Sequence, residues 1–322
     1  MLPQRVLVTG GSGFVGKALA AKALSNGSTV RISSRQKLTA PKSRIEYCQV
    51  GDLSPATDWF VALQGVDAVV HCAGRAHVMT ETAVDPFTAF RTVNGAGTLK
   101  LACQAVEAGV KRFVFVSSVG VNGLHTALGK PFSETDKPNP HNAYALSKWE
   151  AEQGLLRIAA TTGMEVVILR PPLVYGPNAP GNFGSLMRWL QRYVPLPLGA
   201  IHNQRSLVAL DNLVDLIVIC LTHPAAANQI FLVSDDDDVS TTELLRRMGQ
   251  AMGRPALLVP VPASWLKLAA TLVGKQDMAQ RLCSSLQVDI AKTRDLLGWR
   301  PPLSLDQGLK KAAEGCGRET VV

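Results

Sequence analysis

The chain has 322 residues, of which 47% are hydrophobic, and it carries a formal net charge of +8. This length and apolar content are enough to build a core in one large or two small domains. The positive charge favours an anionic partner, but no Lys/Arg run interleaved with aromatic residues is present. We therefore expect a phosphorylated small molecule, and not a nucleic acid, as the partner.

The six cysteines form no CxxC pair and no metal-ligand spacing. We therefore expect no metal site and a reduced, cytoplasmic environment. No secretory leader is expected from the first residues. The longest apolar stretches, near 213–221 and 263–274, are too short or too interrupted by charge for membrane insertion. We expect the second of them to form a packed helix, with an amphipathic surface helix as the alternative.

A short apolar strand at 5–9 is followed at once by a glycine-rich turn. Gly10, Gly13 and Gly16 are spaced three apart, and the helical run after them stops at Gly27. The N–H groups at such a helix start can bind a pyrophosphate, and the glycines let it approach the backbone closely. This order of elements predicts a dinucleotide-binding site.

The residues at the end of the second strand decide whether a protein of this kind prefers NAD or NADP. An acidic residue there would hold the ribose 2′-hydroxyl of NAD, but this strand ends with Ser33, Ser34 and Arg35. A hydroxyl and a guanidinium suit the 2′-phosphate of NADP, because a phosphate needs donors and positive charge. We therefore expect a preference for NADP(H). NAD(H) stays the alternative if Arg35 is a solvated loop cation.

Strands and helices alternate through the first half of the chain. The predicted strands after the second are 45–50, 67–71, 112–117 and 165–169, and the predicted helices are 86–108 and 143–161. This alternation predicts a Rossmann-type, doubly wound α/β fold with a parallel sheet. Ligands in that architecture bind beyond the carboxyl ends of the strands.

Proline and glycine become dense after Arg170. We predict a dinucleotide-binding domain over 1–170, to which elements near 205–235 return. A smaller, loop-rich substrate-binding domain would comprise 171–204 and 236–322. The acidic run at 235–238 is expected to be a solvated loop and not a metal site. Ser240, with Glu243 three residues later, predicts the start of a helix.

Tyr144 and Lys148 lie four residues apart in the string YALSK, and Ser118 follows a predicted strand. Residues at that spacing share a helix face, so the phenol and the ammonium can meet at one site. A nearby cation favours the phenolate and lowers the pKa of a tyrosine from about 10. Ser118 can hydrogen-bond the same substrate oxygen. The three residues predict proton transfer at a carbonyl or alcohol, with a cofactor carrying the hydride.

Seven strings occur in order along the chain: GGSGFVG, HCAG, SS before VNG, YALSK, RPPLVYGP, RSLVALDNLVD and LGWRPP. Together they resemble the extended short-chain dehydrogenase/reductases, the NAD-dependent epimerase/dehydratase family. The resemblance runs from residue 5 to about residue 309. It is greatest to bacterial nucleotide-sugar 4-epimerases and 4-ketoreductases of surface-polysaccharide pathways.

The resemblance implies a role for each candidate residue. Tyr144 would be the catalytic acid/base, Lys148 would orient the nicotinamide ribose and lower the tyrosine pKa, and Ser118 would contact the sugar O4. Asn182 and Arg205 would bind the substrate diphosphate. With Ser34 and Arg35 included, the candidate cofactor contacts are Gly10, Gly13, Phe14, Val15, Gly16, Ser34, Arg35, Asp52, Leu53, Ala73, Gly74, Lys148 and Pro171.

We therefore expect NADP(H)-dependent reduction of the C4 keto group of a UDP-4-keto-6-deoxy-hexosamine, for O-antigen precursors, by a homodimer. The alternative is a UDP-sugar 4-epimerase with bound NAD, which would oxidise and re-reduce C4 with the same residues. A more distant alternative is a non-catalytic dinucleotide-binding protein. Gly120, where many epimerases carry threonine, and the missing acid after the second strand favour the reductase.

Overall fold

The computed structural model describes residues 3–36, 44–76, 85–272, 274 and 276–316. The strands in these ranges are β1 (Arg5–Thr9), β2 (Thr29–Ser34), β3 (Ile45–Gln49), β4 (Ala68–His71), β5 (Arg112–Val116), β6 (Glu165–Arg170), β7 (Leu173–Tyr175), β8 (Leu207–Ala209) and β9 (Gln229–Leu232). Among the described residues, seven strands form one parallel sheet in the order β3-β2-β1-β4-β5-β6-β9. The strands β7 and β8 pair separately.

The helices in the described ranges are α1 (Phe14–Ser25), α2 (Phe60–Leu63), α3 (Pro86–Phe90), α4 (Thr98–Glu107), α5 (Ala143–Thr161), α6 (Gly181–Gln191), α7 (Leu210–Cys220), α8 (Thr241–Ala251), α9 (Ala263–Leu272), α10 (Gln276–Cys283), α11 (Ala291–Leu297) and α12 (Leu305–Cys316). Helices flank the large sheet on both faces. The predicted doubly wound α/β fold is thereby confirmed.

The two faces of the large sheet bury alternate residues of each strand, as the two-residue period of a strand requires. Val8 and Val70 face one core, together with apolar residues of α1 and α7. Leu7 and Val69 face the other core, together with apolar residues of α4 and α5. Both faces are therefore covered, and the carboxyl ends of the strands form the accessible edge.

The predicted helix at 86–108 is interrupted, which corrects the sequence interpretation. Asp85 caps α3 by accepting a hydrogen bond from Thr88 N at 3.2 Å, but a π-helical turn over Arg91–Gly97 separates α3 from α4. A Cβ on Gly97 would lie 2.9 Å from Leu53 Cγ, so the absence of a side chain permits this close approach. Such turns widen a helix locally and recur at functional sites.

A third core lies beyond the large sheet and joins β7 and β8 to α6, α8 and α12. The helix α8 begins where the sequence predicted, since Ser240 Oγ accepts a hydrogen bond from Glu243 N at 3.0 Å. Strand β9 pairs with β6 of the large sheet. The boundaries of the two predicted domains stay a prediction.

The structure contradicts the expected environment of the acidic run and of α9. Asp235 is buried and accepts hydrogen bonds from Tyr175 Oη at 2.6 Å and from Asn212 Nδ2 at 2.7 Å, so it is not a solvated loop residue. Helix α9 contacts the third core through Ala263 and Leu266, but none of its residues is fully buried, so it is a surface helix and not the packed helix we expected. Within the described ranges, none of the helices is both long and apolar enough to cross a bilayer.

Candidate active site

The glycine turn joins the end of β1 to the start of α1. Gly10 has a φ of +68°, which favours glycine, and Gly13 N donates to Gly10 O at 2.9 Å. A Cβ on Gly10 would lie 2.8 Å from Ala73 N, and one on Gly16 would collide with Gly10 O. Only glycine therefore lets the turn and the loop after β4 pack this closely.

Helix α1 starts with Phe14 and Val15 directly after that turn. Gly13 occupies its N-cap, no side chain caps the helix, and its first turn holds no acidic residue. The N–H groups of the first turn and the positive end of the helix dipole are therefore available to an anion. A dinucleotide pyrophosphate fits this cradle, because the close backbone approach and the free donors occur together.

The ends of β2 and β3 carry the residues proposed to discriminate between cofactors. Ser34 Oγ accepts a hydrogen bond from Gln36 N at 3.2 Å. Arg35 Nη1 lies 3.5 Å from Asp52 Oδ1, and both side chains are mostly exposed. The guanidinium of Arg35 therefore does face an acid. This acid is Asp52, which lies in the loop after β3 and not at the end of β2. Leu53, beside Asp52, contacts Gly97.

Asn94 connects the loop after β4 to the helix that carries Tyr144 and Lys148. Its Oδ1 accepts from Arg75 N at 2.7 Å, and its Nδ2 donates to Ser147 Oγ at 3.1 Å. A Cβ on Gly74 would lie 3.0 Å from Asn94 Oδ1 and 3.6 Å from Lys148 Nζ. The predicted cofactor residues Ala73 and Gly74 therefore lie directly beside the predicted catalytic lysine.

His71 is a core residue, as its position at the end of a buried strand indicated. Its ring hydrogen-bonds Thr9 Oγ1 at 2.6 Å and Thr98 Oγ1 at 2.9 Å. Burial, together with the charge of Lys148, lowers the pKa of His71 to about 3. The imidazole is therefore neutral near pH 7 and ties β1, β4 and α4 together.

Lys148 lies on α5 with its side chain buried beneath the ends of the strands. Its Nζ donates to Val116 O at 2.9 Å and lies 4.4 Å from the centre of the Phe115 ring. Burial lowers the pKa of Lys148 to about 8, against the opposing influence of Cys72 and Glu152. The ammonium is thus protonated near neutrality, although it has lost much of its hydration.

Tyr144 begins the same helix, one turn earlier, and its ring meets the Phe90 ring edge-on at 6.1 Å. Burial raises the pKa of Tyr144 to about 12, and a hydrogen bond with Ser118 partly opposes this rise. The pKa is thus raised where Lys148 was expected to lower it, and that expected effect of Lys148 stays a prediction. The ammonium is directed to the carbonyl of Val116, so the phenol stays protonated and can act as a proton donor.

Ser118 follows β5 and caps a short helical turn by accepting a hydrogen bond from Gly120 N at 3.1 Å. A Cβ on Gly120 would lie 3.3 Å from Ser118 Oγ and 3.4 Å from Ala145 Cβ. The absence of a side chain at Gly120 therefore lets the loop that carries Ser118 approach α5. Pro171 supports this loop, because its carbonyl accepts from Val119 N at 3.0 Å.

Arg205 precedes β8 and is half-buried, and its backbone N–H donates to Val239 O at 2.9 Å. Its Nη1 donates to the carbonyls of Arg281 and Ser284, the latter at 3.3 Å. Burial and the neighbouring Arg281 lower the pKa of Arg205 to about 10. Among the described residues no carboxylate forms an ion pair with Arg205.

Asn182 is the second residue of α6 and is exposed. Within the described part of the chain, no hydrogen bond joins it to Arg205. The structure therefore brings Ser118, Tyr144 and Lys148 together with the loop at Ala73 and Gly74. It does not connect Asn182 and Arg205 to that group.

Sequence reasoning missed the buried residues behind the catalytic set. Glu152 pairs with Arg170 and accepts a hydrogen bond from Ser117, and Arg170 also donates to Asn122 Oδ1 at 3.0 Å. A signal existed, because Glu152 lies four residues after Lys148 and therefore on the same helix face. Arg170 ends β6, where its side chain can reach α5.

Comparison with known proteins identifies the family of this chain. The model of the NAD dependent epimerase/dehydratase family matches residues 6–234. A UDP-glucose 4-epimerase from Vibrio cholerae is 47% identical over 314 residues, which cover 97% of this chain and 95% of that protein. An N-acetyl-alpha-D-glucosaminyl-diphospho-ditrans,octacis-undecaprenol 4-epimerase from Escherichia coli is 27% identical and covers 96% of this chain and 94% of that protein.

Among solved structures, UDP-glucuronic acid 4-epimerase from Bacillus cereus in complex with NAD matches with a TM-score of 0.79. The match covers 97% of this chain and 98% of that chain at 20% identity, a level that supports the fold alone. The extent of the family match and the 47% identity carry the assignment beyond the fold. This protein is therefore an enzyme of the NAD dependent epimerase/dehydratase family.

Proposed function

We propose that this enzyme is a UDP-sugar 4-epimerase that keeps NAD bound through its catalytic cycle. The observation that carries the proposal is the 47% identity, over 97% of the chain, with a UDP-glucose 4-epimerase. This proposal replaces the reductase as the first interpretation.

A nicotinamide dinucleotide supplies a hydride acceptor and donor for C4 of the sugar when it is bound. In this proposal Ser118 donates a hydrogen bond to O4 and holds that oxygen beside Tyr144. The protonated phenol gives its proton to O4 in the reducing half of the cycle. Proton removal in the oxidising half needs the phenolate, which a positive charge favours. Lys148 provides that charge when its ammonium moves from Val116 O toward the ribose and phenol.

Arg205 is proposed to bind the substrate diphosphate. The support is a half-buried guanidinium that has carbonyl partners but no carboxylate partner among the described residues. A charge-assisted, two-point contact with a diphosphate would restore the partner that this cation lacks. Both curated relatives have names that include a sugar on a diphosphate. Asn182 is proposed as a second contact on the same group.

The reductase stays the second candidate, because one observation favours it. Ser34 and Arg35 end β2 without an acid, which suits the 2′-phosphate of NADP(H). The ion pair between Arg35 and Asp52 weakens that argument, since the carboxylate occupies the guanidinium and would repel a phosphate. We therefore propose NAD as the cofactor, with NADP(H) as the alternative.

We also propose that segments 171–204 and 236–322 bind the sugar nucleotide, and that 1–170 with the elements near 205–235 holds the cofactor. The homodimer, the cytoplasmic location and the O-antigen role stay predictions.

The deciding experiment identifies the cofactor and follows its redox state during turnover. The purified protein is denatured, and the released nucleotide is identified by mass spectrometry. Native enzyme is then supplied with UDP-glucose or UDP-N-acetylglucosamine while the absorbance of reduced nicotinamide is recorded. We expect released NAD and interconversion of the C4 epimers without net absorbance change. Stoichiometric consumption of added NADPH by a UDP-4-keto-6-deoxyhexose, with no epimer formed, would instead establish the reductase.

A further inference from the structure

Helix α9 exposes three large apolar side chains along one face. Trp265, Leu268 and Leu272 are spaced three and four residues apart, so they share a face, and they are 72%, 65% and 81% exposed. Its other side contacts the third core through Ala263 and Leu266. A helix that is apolar on both sides is ordinarily buried on both sides, whereas α9 packs against the third core and α10 and leaves these three side chains exposed.

The chain segments that lead into α9 also expose large apolar side chains. Leu196 N donates to Leu257 O at 2.9 Å and Gly199 N to Val259 O at 2.9 Å, so two extended segments run side by side into the helix. We call the surface formed by Tyr193, Leu257, Val259, Trp265, Leu268 and Leu272 the apolar face. All six side chains are exposed large hydrophobics. Large apolar side chains exposed on neighbouring elements of the fold indicate a candidate interaction site.

The two chain segments that carry the apolar face hold charges of one sign. Residues 188–200 and 252–272 contain four basic side chains and no Asp or Glu. The basic side chains are the exposed Arg188, Arg192, Arg254 and Lys267. The partner is therefore both apolar and negatively charged. A second copy that met this face with its own would bring like charges together, which is unfavourable.

We propose that the apolar face docks on the surface of an anionic phospholipid bilayer. The ten residues of α9 span about 15 Å, which is too short to cross a bilayer but suits a helix lying in its interface. The apolar side chains enter the boundary between headgroups and acyl chains, where tryptophan is favoured. The four basic side chains contact the lipid phosphates. This surface role is independent of whether the active site epimerises or reduces its substrate.

The test is co-sedimentation of the full chain with lipid vesicles. We expect the wild type to pellet with vesicles of phosphatidylglycerol mixed with phosphatidylcholine, and much less with pure phosphatidylcholine. Added salt should weaken the binding, because it screens the basic side chains. Leu268→Glu should lower the vesicle affinity at least ~10-fold, since it places a carboxylate against anionic headgroups. Far-UV circular dichroism of this variant checks that it is folded as the wild type is.

Val61→Glu is the matched control, because Val61 is 65% exposed, as Leu268 is, and lies on α2 of the dinucleotide-binding region. This variant should bind vesicles as the wild type does. A wild type that stays in the supernatant with anionic vesicles would overturn the proposal, and so would equal binding by Leu268→Glu. Sedimentation velocity measures the oligomeric state and can give a third result that overturns the proposal. A wild-type dimer that Leu268→Glu dissociates would mean that a second copy covers the apolar face.

Discussion

Glu152 and Arg170 form a two-point ion pair that is shielded from solvent. Arg170 Nη2 lies 2.6 Å from Glu152 Oε2, and Arg170 Nε lies 3.0 Å from Glu152 Oε1. Glu152 lies on α5 one turn after Lys148, and it also accepts a hydrogen bond from Ser117, the neighbour of Ser118. The pair therefore joins the catalytic helix to the end of β6 and to the serine loop.

Breaking this pair from one side should destabilise the protein strongly. Arg170→Met leaves a buried carboxylate without its partner, and such a loss costs about 3–5 kcal/mol in the free energy of unfolding. The double variant with Glu152→Leu should recover much of that loss, because no buried charge stays unpaired. Urea unfolding of the single and double variants measures both values. A double variant as unstable as the single one would contradict the assigned origin of the cost.

Tyr144→Phe should lower turnover by at least ~10²-fold, which is the usual scale for loss of a general acid. Cofactor binding should be retained, because the hydroxyl contacts the substrate oxygen and not the dinucleotide. Tyr47→Phe, in β3, is a control at another half-buried tyrosine and should leave turnover unchanged. Steady-state kinetics together with the amount of bound nucleotide check this prediction. Full turnover by Tyr144→Phe would remove the proposed mechanism.

Lys148 should make stability depend on pH in an unusual direction. Its pKa falls from 10.5 to about 8 in the folded protein, so between these values the unfolded chain binds more protons. The contribution of Lys148 to the free energy of unfolding therefore rises with pH between these two values. Below pH 8 the folded state carries the cost of burying the protonated ammonium. Lys148→Met should remove this dependence. Its stability relative to the wild type should fall by about 2–4 kcal/mol from pH 7 to pH 10. Urea unfolding at several pH values measures the difference, and a constant difference would refute the lowered pKa.

The ion pair between Arg35 and Asp52 should govern cofactor preference. Asp52→Asn frees the guanidinium for a 2′-phosphate and removes a repelling carboxylate. The affinity for NADP relative to NAD should then rise on the order of tenfold. Arg35→Asp should shift the preference toward NAD, because the new acid can accept from the ribose 2′-hydroxyl. Calorimetric titration of cofactor-free protein measures both ratios. Unchanged ratios would make Arg35 a solvated loop cation.

Arg205→Ala should weaken binding of a UDP-sugar by about 1.5–3 kcal/mol, the range for a charge-assisted hydrogen bond. Arg205→Lys should give an intermediate loss, because an ammonium keeps the charge but not the planar fork. Arg246→Ala on α8 is the control, because that arginine is exposed and forms a surface ion pair with Glu243. UDP should compete with the substrate in the wild type. A wild type that fails to bind UDP would exclude the nucleotide-sugar assignment.

The sequence alone determined the fold class and the family, because both rest on local order along the chain. The spacing of Gly10, Gly13 and Gly16 and the spacing of Tyr144 and Lys148 set backbone and helix-face geometry within a few residues. Those relations hold whatever the rest of the fold does. The order of the motifs then restricted the protein to one enzyme family, although it did not separate epimerase from reductase.

Tertiary structure decided the properties that depend on residues distant in sequence. Arg35 meets Asp52 only because β2 and β3 end side by side, and this contact weakens the argument for NADP. The raised pKa of Tyr144 and the lowered pKa of Lys148 come from burial, which no local pattern reveals. The exposure of α9 follows the same rule, since an apolar sequence specifies what a helix can pack against but not whether the fold supplies the partner. Solvent exclusion and long-range contact are properties of the whole fold, and for that reason only the structure could establish them.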